Sequence, residues 1–107
     1  MPILEAMACG LPTIATSWSS QVDFMNESNS FPLEVESLIP AVAKCPYYQG
    51  FRWAQPSYEH LRYLLRWVYE HQDQARSIGN NAAIDAASQW TWKKAAAAMV
   101  DILSSIK

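Results

Sequence analysis

The chain has 107 residues, of which 50% are hydrophobic and 17% are charged. This composition is typical of one folded domain or part of one and excludes an intrinsically disordered protein. The net charge of −2 excludes a general nucleic-acid-binding surface. No apolar run approaches the ~20 residues of a membrane-spanning helix, and no basic region of a signal peptide opens the chain. We therefore expect a cytoplasmic protein without a membrane span and without a nucleic-acid partner.

Charge is distributed unevenly along the chain. Residues 1–43 carry five acidic residues and no Lys or Arg, whereas residues 44–107 carry eight basic and five acidic residues. An anion bound by the first stretch would need backbone N–H groups, a helix N-terminus or basic side chains from elsewhere. Cys9 and Cys45 lack the spacing of a metal site, so we expect reduced thiols and neither a metal nor another cofactor.

The first predicted unit is a helix followed by a strand. Residues 2–9 are strong helix formers that begin with Pro, and Gly10 follows where a left-handed C-cap would lie. Residues 13–16 form an uncharged, β-branched run that is typical of a buried parallel strand. Helix, glycine turn and strand together make half of an α/β unit.

The next predicted segments are less regular. Residues 17–30 are rich in Ser, Asn and Gln, which predicts a surface loop that includes one helical turn at residues 22–25. Residues 30–35 alternate apolar and polar side chains and predict a second strand, which Pro32 would confine to an edge or a strand end. Residues 36–56 contain three prolines and a glycine without a sustained period, and they predict an ordered but irregular connection.

Residues 57–107 predict three helices. The first has an apolar face at 3.6-residue spacing, with Leu64 and Tyr69 flanking it; that face consists of Tyr58, Leu61, Leu65 and Val68. The second begins near Asp73 and has a narrow stripe of small residues, weakened by about 1 kcal/mol at Gly79; the stripe consists of Ala75, Ile78, Ala82 and Ala86. The third is capped by Thr91; its seam consists of Trp92, Ala96, Met99, Leu103 and Ile106.

The small number of strands indicates an incomplete sheet. Two strands form a marginal sheet by themselves, yet residues 13–16 have the composition of a strand that is covered on both faces. We therefore predict an α/β fold, a partial Rossmann-like domain. It has a helix–strand–loop–strand segment at residues 1–35, an irregular connection at 36–56 and about three helices at 57–107. An unpaired strand edge is a template for pairing, so we expect a homo-oligomer that forms through this edge.

Glu5 allows two interpretations from the residues alone. It lies in the first turn of the predicted helix, where a carboxylate complements the helix dipole by about 0.3–1 kcal/mol. In doubly wound folds ligands bind outside the carboxyl ends of the strands, where an acidic side chain accepts hydrogen bonds from a ribose diol. The pattern by itself favours the dipole interpretation.

The sequence of residues 2–16, PILEAMACGLPTIAT, resembles the donor-site motif of the retaining glycosyltransferases with the GT-B fold, the group 1 type family. That motif reads Pro-x-x-Glu-Ala-Met-Ala-Cys-Gly-x-Pro before a strand, and the last three predicted helices resemble the family more loosely. The resemblance implies the C-terminal part of a nucleotide-sugar-binding domain and sugar transfer with retention and without a metal. It also implies that Glu5 hydrogen-bonds the ribose hydroxyls of a nucleotide-sugar partner.

The departures from the family motif limit what the resemblance implies. The family has a first Glu and a Gly-rich turn before this motif, basic residues for the diphosphate and a separate acceptor domain, none of which is found here. The family also has a paired glycine and a Glu after the strand, roughly where Ser19, Ser20 and Asp23 stand. We expect a fragment that is inactive alone and that carries no catalytic residue, and whether the chain itself is an enzyme stays open.

The alternative is a non-catalytic protein-interaction module derived from a glycosyltransferase. It is suggested by Tyr63 and Trp67, which are four residues apart opposite the predicted core face and are expected to stack on each other, and by residues 36–56.

Among the remaining candidates, Asp23 either accepts a hydrogen bond from the donor sugar or caps its own turn. Trp18 either stacks on a sugar or base or is an ordinary half-buried aromatic.

The histidines and arginines of the helical region are expected to be solvated. His60 and His71 lack a third metal ligand. The basic side chains of the first two helices are expected to face solvent with local Glu partners; these are Arg62, Arg66 and Arg76.

Overall fold

The computed structural model describes residues 2–42 and 45–106 and has a mixed α/β fold. Within the described residues, four α-helices and four short strands follow one another, with short 3₁₀ helices at Ser19–Asp23 and Pro46–Tyr48. In chain order the elements are α1 (Pro2–Ala8), β1 (Ile14–Thr16), β2 (Phe31–Leu33), β3 (Val35–Pro40), β4 (Arg52–Pro56), α2 (Tyr58–Glu70), α3 (Gln72–Gln89) and α4 (Trp92–Ser105).

The two predicted strands form a parallel pair. β1 and β2 align so that Ile14 lies opposite Phe31 and Thr16 opposite Leu33, which confirms both strands. The Ser17 N–H continues the ladder by donating to the Leu33 carbonyl at 2.8 Å. Within the residues that the structure describes, each of these strands pairs only with the other, so both outer edges lack a strand neighbour.

The prediction of an irregular connection at residues 36–56 is wrong. β3 and β4 form an antiparallel hairpin, with Pro40 opposite Arg52 and an irregularity between Val35 and Ser37. The prolines that suggested breaks lie where a ladder tolerates them, because Pro40 and Pro56 end their strands and Pro46 begins the 3₁₀ helix. Residues 43 and 44 lie outside the described residues.

The first core cluster joins α1 to α3. It consists of Met7, Phe24, Met25 and Ala82, with Ile3, Leu4 and Ala15 packed against it. The two helices approach closely because a glycine lies on each side of the contact. A Cβ added at Gly79 would lie 2.2 Å from the carbonyl oxygen of Gly10, a distance that no side chain could occupy.

The second core cluster lies between β2 and the first two helices of the C-terminal part. It consists of Phe31, Leu33, Leu64 and Ala75, with Ile14, Leu61, Trp67, Val68 and Ile78 packed against it. This arrangement corrects the predicted face of α2, because Leu64 is buried whereas Tyr58 and Leu65 are 65% and 55% exposed. The cause is β2, which places Phe31 against Trp67 with ring centroids 5.5 Å apart and thereby rotates the buried face of the helix.

The remaining helices differ in how much they bury. α3 buries the predicted small residues Ala75, Ala82 and Ala86, together with Gly79, which confirms its stripe. α4 begins where Thr91 accepts a hydrogen bond from the Lys94 N–H, as predicted, but it buries none of its described side chains. The predicted seam of α4 is therefore exposed. No helix in residues 2–42 and 45–106 has the length and apolar character needed to span a membrane.

Candidate functional site

Glu5 lies on α1, whose end is set by the sequence that follows. Gly10 has a φ of 73°, and its N–H donates to the Met7 carbonyl at 2.9 Å. The Leu11 N–H donates to the Ala6 carbonyl at 3.1 Å, which completes a Schellman motif. The turn sends the chain from α1 into β1, and Glu5 itself is exposed to solvent on the surface of α1.

Trp18 and Asp23 lie in the segment that follows β1. Trp18 is 39% exposed, so it is only partly buried, and Asp23 is exposed at the end of the 3₁₀ helix. Ser19, between them, has a φ of 62°, a left-handed conformation that favours glycine. The backbone therefore takes a glycine-type conformation at a serine, three residues after the end of β1.

The first core cluster brings the elements that carry these three residues together. Leu4, which is next to Glu5 in the sequence, and Ala15 of β1 pack against the cluster that contains Phe24. Phe24 also contacts Trp90 at the end of α3, with ring centroids 5.9 Å apart in an edge-on arrangement. α1, the end of β1 and the segment that carries Trp18 and Asp23 thus share one packed support, and all three candidate side chains reach the surface.

A buried polar residue that the sequence did not single out holds the following loop. The Asn29 side chain is 2% exposed, and its Nδ2 group donates to the Phe24 carbonyl at 3.1 Å and to Asp85 Oδ2 at 2.8 Å. Its Oδ1 atom accepts from the Asn26 N–H at 2.9 Å. The only sequence signal was the local density of Asn and Ser, which is typical of side-chain-stabilised turns.

The expected stacking of Tyr63 on Trp67 is not found. Tyr63 lies nearly parallel to His60, with ring centroids 6.1 Å apart, and Trp67 lies nearly parallel to His71 at 4.6 Å. Trp67 is half-buried against the second core cluster, so it does not lie on a far face of α2. Trp67 is packed within the chain, whereas Tyr63 neighbours His60 and stays exposed.

The charged candidates lie where the sequence predicted. Three arginines are exposed, and Arg66 forms an ion pair with Glu70 at 3.7 Å; they are Arg62, Arg66 and Arg76. Cys9 and Cys45 are both free thiols, Cys9 exposed and Cys45 half-buried. Within residues 2–42 and 45–106 no group of three or more His, Cys, Asp or Glu side chains is placed to hold a metal ion.

Comparisons of the chain with models of known protein families, with curated proteins and with solved structures find no match.

Proposed function

We propose that this chain is the donor-side part of a retaining GT-B glycosyltransferase, in which a Rossmann-like domain holds a nucleotide-sugar. The proposal is supported by the resemblance of residues 2–16 to the donor-site motif of that family. These residues fold as a helix, a left-handed glycine turn at Gly10 and a parallel strand, which is the order that an α/β nucleotide-binding unit needs.

The observation that carries the proposal is the backbone at Ser19. The family has glycine after this strand, and here Ser19 has a φ of 62° although serine rarely adopts such a value. A glycine-type conformation kept at a non-glycine residue is consistent with descent from a glycine-containing loop.

In this proposal Glu5 accepts hydrogen bonds from the ribose hydroxyls, and Trp18 and Asp23 lie close to the donor. Glu5 is exposed, and Leu4 beside it and Ala15 of β1 pack against the same core cluster. No described residue is assigned to catalysis. The overall reaction of the parent enzyme is the transfer of the sugar from the nucleotide-sugar to an acceptor, with retention and without a metal.

The ribose contact can be tested by comparing nucleosides that differ by one hydroxyl. Uridine, guanosine and adenosine are titrated against the ¹⁵N-labelled chain, each beside its 2′-deoxy counterpart. We expect one ribonucleoside to shift the amide signals of residues 3–6 and 13–19 more than its deoxy form, because a charged acceptor strengthens hydrogen bonds to hydroxyl groups. Glu5→Gln should remove the difference between the two forms. Equal shifts from both forms, or no shift from any nucleoside, would contradict the proposal.

We also expect weak binding of complete nucleotide-sugars. Residues 1–43 contain no Lys or Arg to offset the charge of a diphosphate, and hydrogen bonds to a charged group contribute only about 1.5–3 kcal/mol each before entropy losses. Calorimetry with UDP-, GDP- and ADP-sugars should give dissociation constants above the micromolar range, and a micromolar value would contradict this expectation.

Glu5→Ala should leave the melting temperature nearly unchanged, since the residue is exposed.

A protein-interaction module is the second candidate function, and the exposed face of α4 favours it. Its apolar side chains are uncovered, with Trp92 92% and Ile106 69% exposed. The pair that first suggested this function, Tyr63 and Trp67, is engaged within the chain and supports it less. In the module hypothesis Glu5→Gln has no effect on nucleoside-induced shifts, so the same titration separates the two candidates.

A further inference from the structure

A cleft lies between the end of β2 and α2, and its lining does not include Glu5, Trp18 or Asp23. Its volume is about 460 Å³, within the range of sites that bind small molecules. The lining combines aromatic rings, hydroxyl groups and carboxylates on an apolar floor. The lining residues include Glu27, Phe31, Glu34, His60, Tyr63 and Trp67.

The aromatic side chains on the α2 side of the cleft form an open surface and do not surround a ligand. Tyr63 lies nearly parallel to His60, with an interplanar angle of 15° and ring centroids 6.1 Å apart, and is 59% exposed, so much of its ring is accessible to solvent. Trp67 lies next along the same side of α2, and His71 and Phe31 already contact its ring. A flat ring can lie on such a surface, whereas a quaternary ammonium ion is held best by rings on several sides.

The polar groups of the cleft provide both donors and acceptors. His60 Nδ1 accepts a hydrogen bond from the Glu34 N–H at 3.0 Å, so in the neutral imidazole the proton lies on Nε2, which is a donor. The carboxylates of Glu27 and Glu34 are exposed acceptors at the rim. Sugar hydroxyls both donate and accept, so this mixture suits them.

The negative charge of the cleft makes it unsuitable for binding phosphate. Two carboxylates line it, and none of its lining residues in the described part of the chain is Lys or Arg. The phosphates of a nucleotide would be repelled by this negative charge, so we expect the part of the ligand that enters the cleft to carry no negative charge.

We propose that this cleft binds one saccharide ring of a neutral glycan, with the apolar face of the sugar on Tyr63 and its hydroxyls on Glu34, Glu27 and His60. Aromatic side chains present a large rigid apolar surface, and a carboxylate makes strong hydrogen bonds to hydroxyl groups. The inference rests on the cleft alone and does not depend on the proposed glycosyl transfer.

The test is a titration of the ¹⁵N-labelled chain with maltotriose, cellotriose and chitotriose into the tens of millimolar. We expect saturable shifts of the amide signals of residues 31–34 and 60–67 and of the Trp67 indole N–H with at least one of them. Tyr63→Ala should weaken that binding about 2- to 10-fold, as the loss of one aromatic contact predicts. Glu34→Gln should weaken it as well, since it removes the charged acceptor.

Matched controls lie on the same helix. Tyr69→Ala removes an aromatic side chain that is 75% exposed and does not line the cleft, and Glu59→Gln removes an exposed carboxylate outside it. Both control variants should bind as the unchanged chain does. The proposal is overturned if no sugar gives a saturable shift, if Tyr69→Ala weakens binding as much as Tyr63→Ala, or if tetramethylammonium shifts these signals and the sugars do not.

Discussion

At the scale of single residues, the backbone of Ser19 has the most unusual conformation in the described chain. It is the only non-glycine residue of residues 2–42 and 45–106 with a positive φ, and it begins the 3₁₀ helix after β1. A left-handed conformation costs an L-residue about 1–2 kcal/mol because its Cβ approaches the carbonyl oxygen that follows. The loop that carries Trp18 and Asp23 therefore retains a local strain that glycine would remove.

Ser19→Gly should stabilise the protein by about 0.5–1 kcal/mol, because relief of the strain exceeds the additional backbone entropy that glycine loses on folding. Ser20→Gly is the matched control. Ser20 belongs to the same 3₁₀ helix and has a negative φ, so glycine there should destabilise by a similar amount. Urea denaturation of both variants measures the two free energies of unfolding. Two changes of the same sign would contradict this account of Ser19.

At the scale of elements, the crossing of α1 over α3 depends on a missing side chain. The sequence treats Gly79 as a weak point in a helix of small residues, since glycine lowers helix propensity by about 1 kcal/mol. The structure shows why glycine is needed, because the backbone carbonyl of Gly10 occupies the place of a Cβ. The Schellman turn that ends α1 is thus packed directly on α3.

Gly79→Ala should destabilise the protein by about 1–3 kcal/mol even though alanine is the better helix former. The atoms that a Cβ would meet belong to the backbone of Gly10 and Leu11, so the two helices would have to separate. Ser77→Ala, at an exposed position of the same helix, should be neutral or slightly stabilising. Thermal unfolding followed by circular dichroism compares the two, and a melting temperature raised by Gly79→Ala would show that the crossing tolerates a methyl group.

At the scale of the whole molecule, the described chain leaves two surfaces uncovered. β1 bonds to β2 on one edge, through the Thr13 carbonyl and the Ser17 N–H. Alternation along a strand therefore turns the N–H of Thr16 toward the open edge. α4 exposes its apolar residues along its length, including Met99 and Leu103 at 63% and 62%. Uncovered strand edges and large apolar patches both favour association.

We predict that the chain forms a dimer through the open edge of β1, with two-fold symmetry because like edges can pair and close the assembly. Analytical ultracentrifugation at micromolar concentration should show a mass above the 12.1 kDa of one chain. Thr16→Pro should weaken the association, because it removes a backbone donor at that edge. Leu103→Lys on α4 should leave it unchanged. A monomer at all concentrations contradicts the prediction, and loss of the dimer in Leu103→Lys alone would place the contact on α4.

Much of the secondary structure could be predicted because its signals are local. Pro at the start of α1, Gly10 at its end and the cap of α4 at Thr91 each act within one helical turn. The uncharged run at residues 13–16 and the alternation at residues 30–35 were likewise sufficient to predict strands. The hairpin was missed because Pro40, Pro46 and Pro56 were interpreted as breaks, whereas they mark the ends of its strands and its 3₁₀ turn.

One part of the candidate site could likewise be predicted from local patterns, and the rest could not. The position of Glu5 follows from the local pattern of α1, which the sequence carries by itself. The fixing of the loop by Asn29 could not be predicted, because its partner Asp85 is 56 positions away and no local pattern links them. The cleft beside α2 was missed because a helical wheel placed Trp67 on the far side from the core.

The helices and the first two strands can be located from the amino-acid sequence alone, because caps, turn residues and the period of apolar side chains act over a few neighbouring positions. Which side of α2 is buried depended instead on the tertiary packing. Leu64 and Trp67 pack against Phe31, whereas Tyr58 and Leu65 stay exposed. Glycine is needed at position 79 because the backbone of Gly10 leaves no space for a Cβ. Amphipathic helices offer adjoining faces of similar burial energy, so the choice between them depends on the shape of the surface that packs against them.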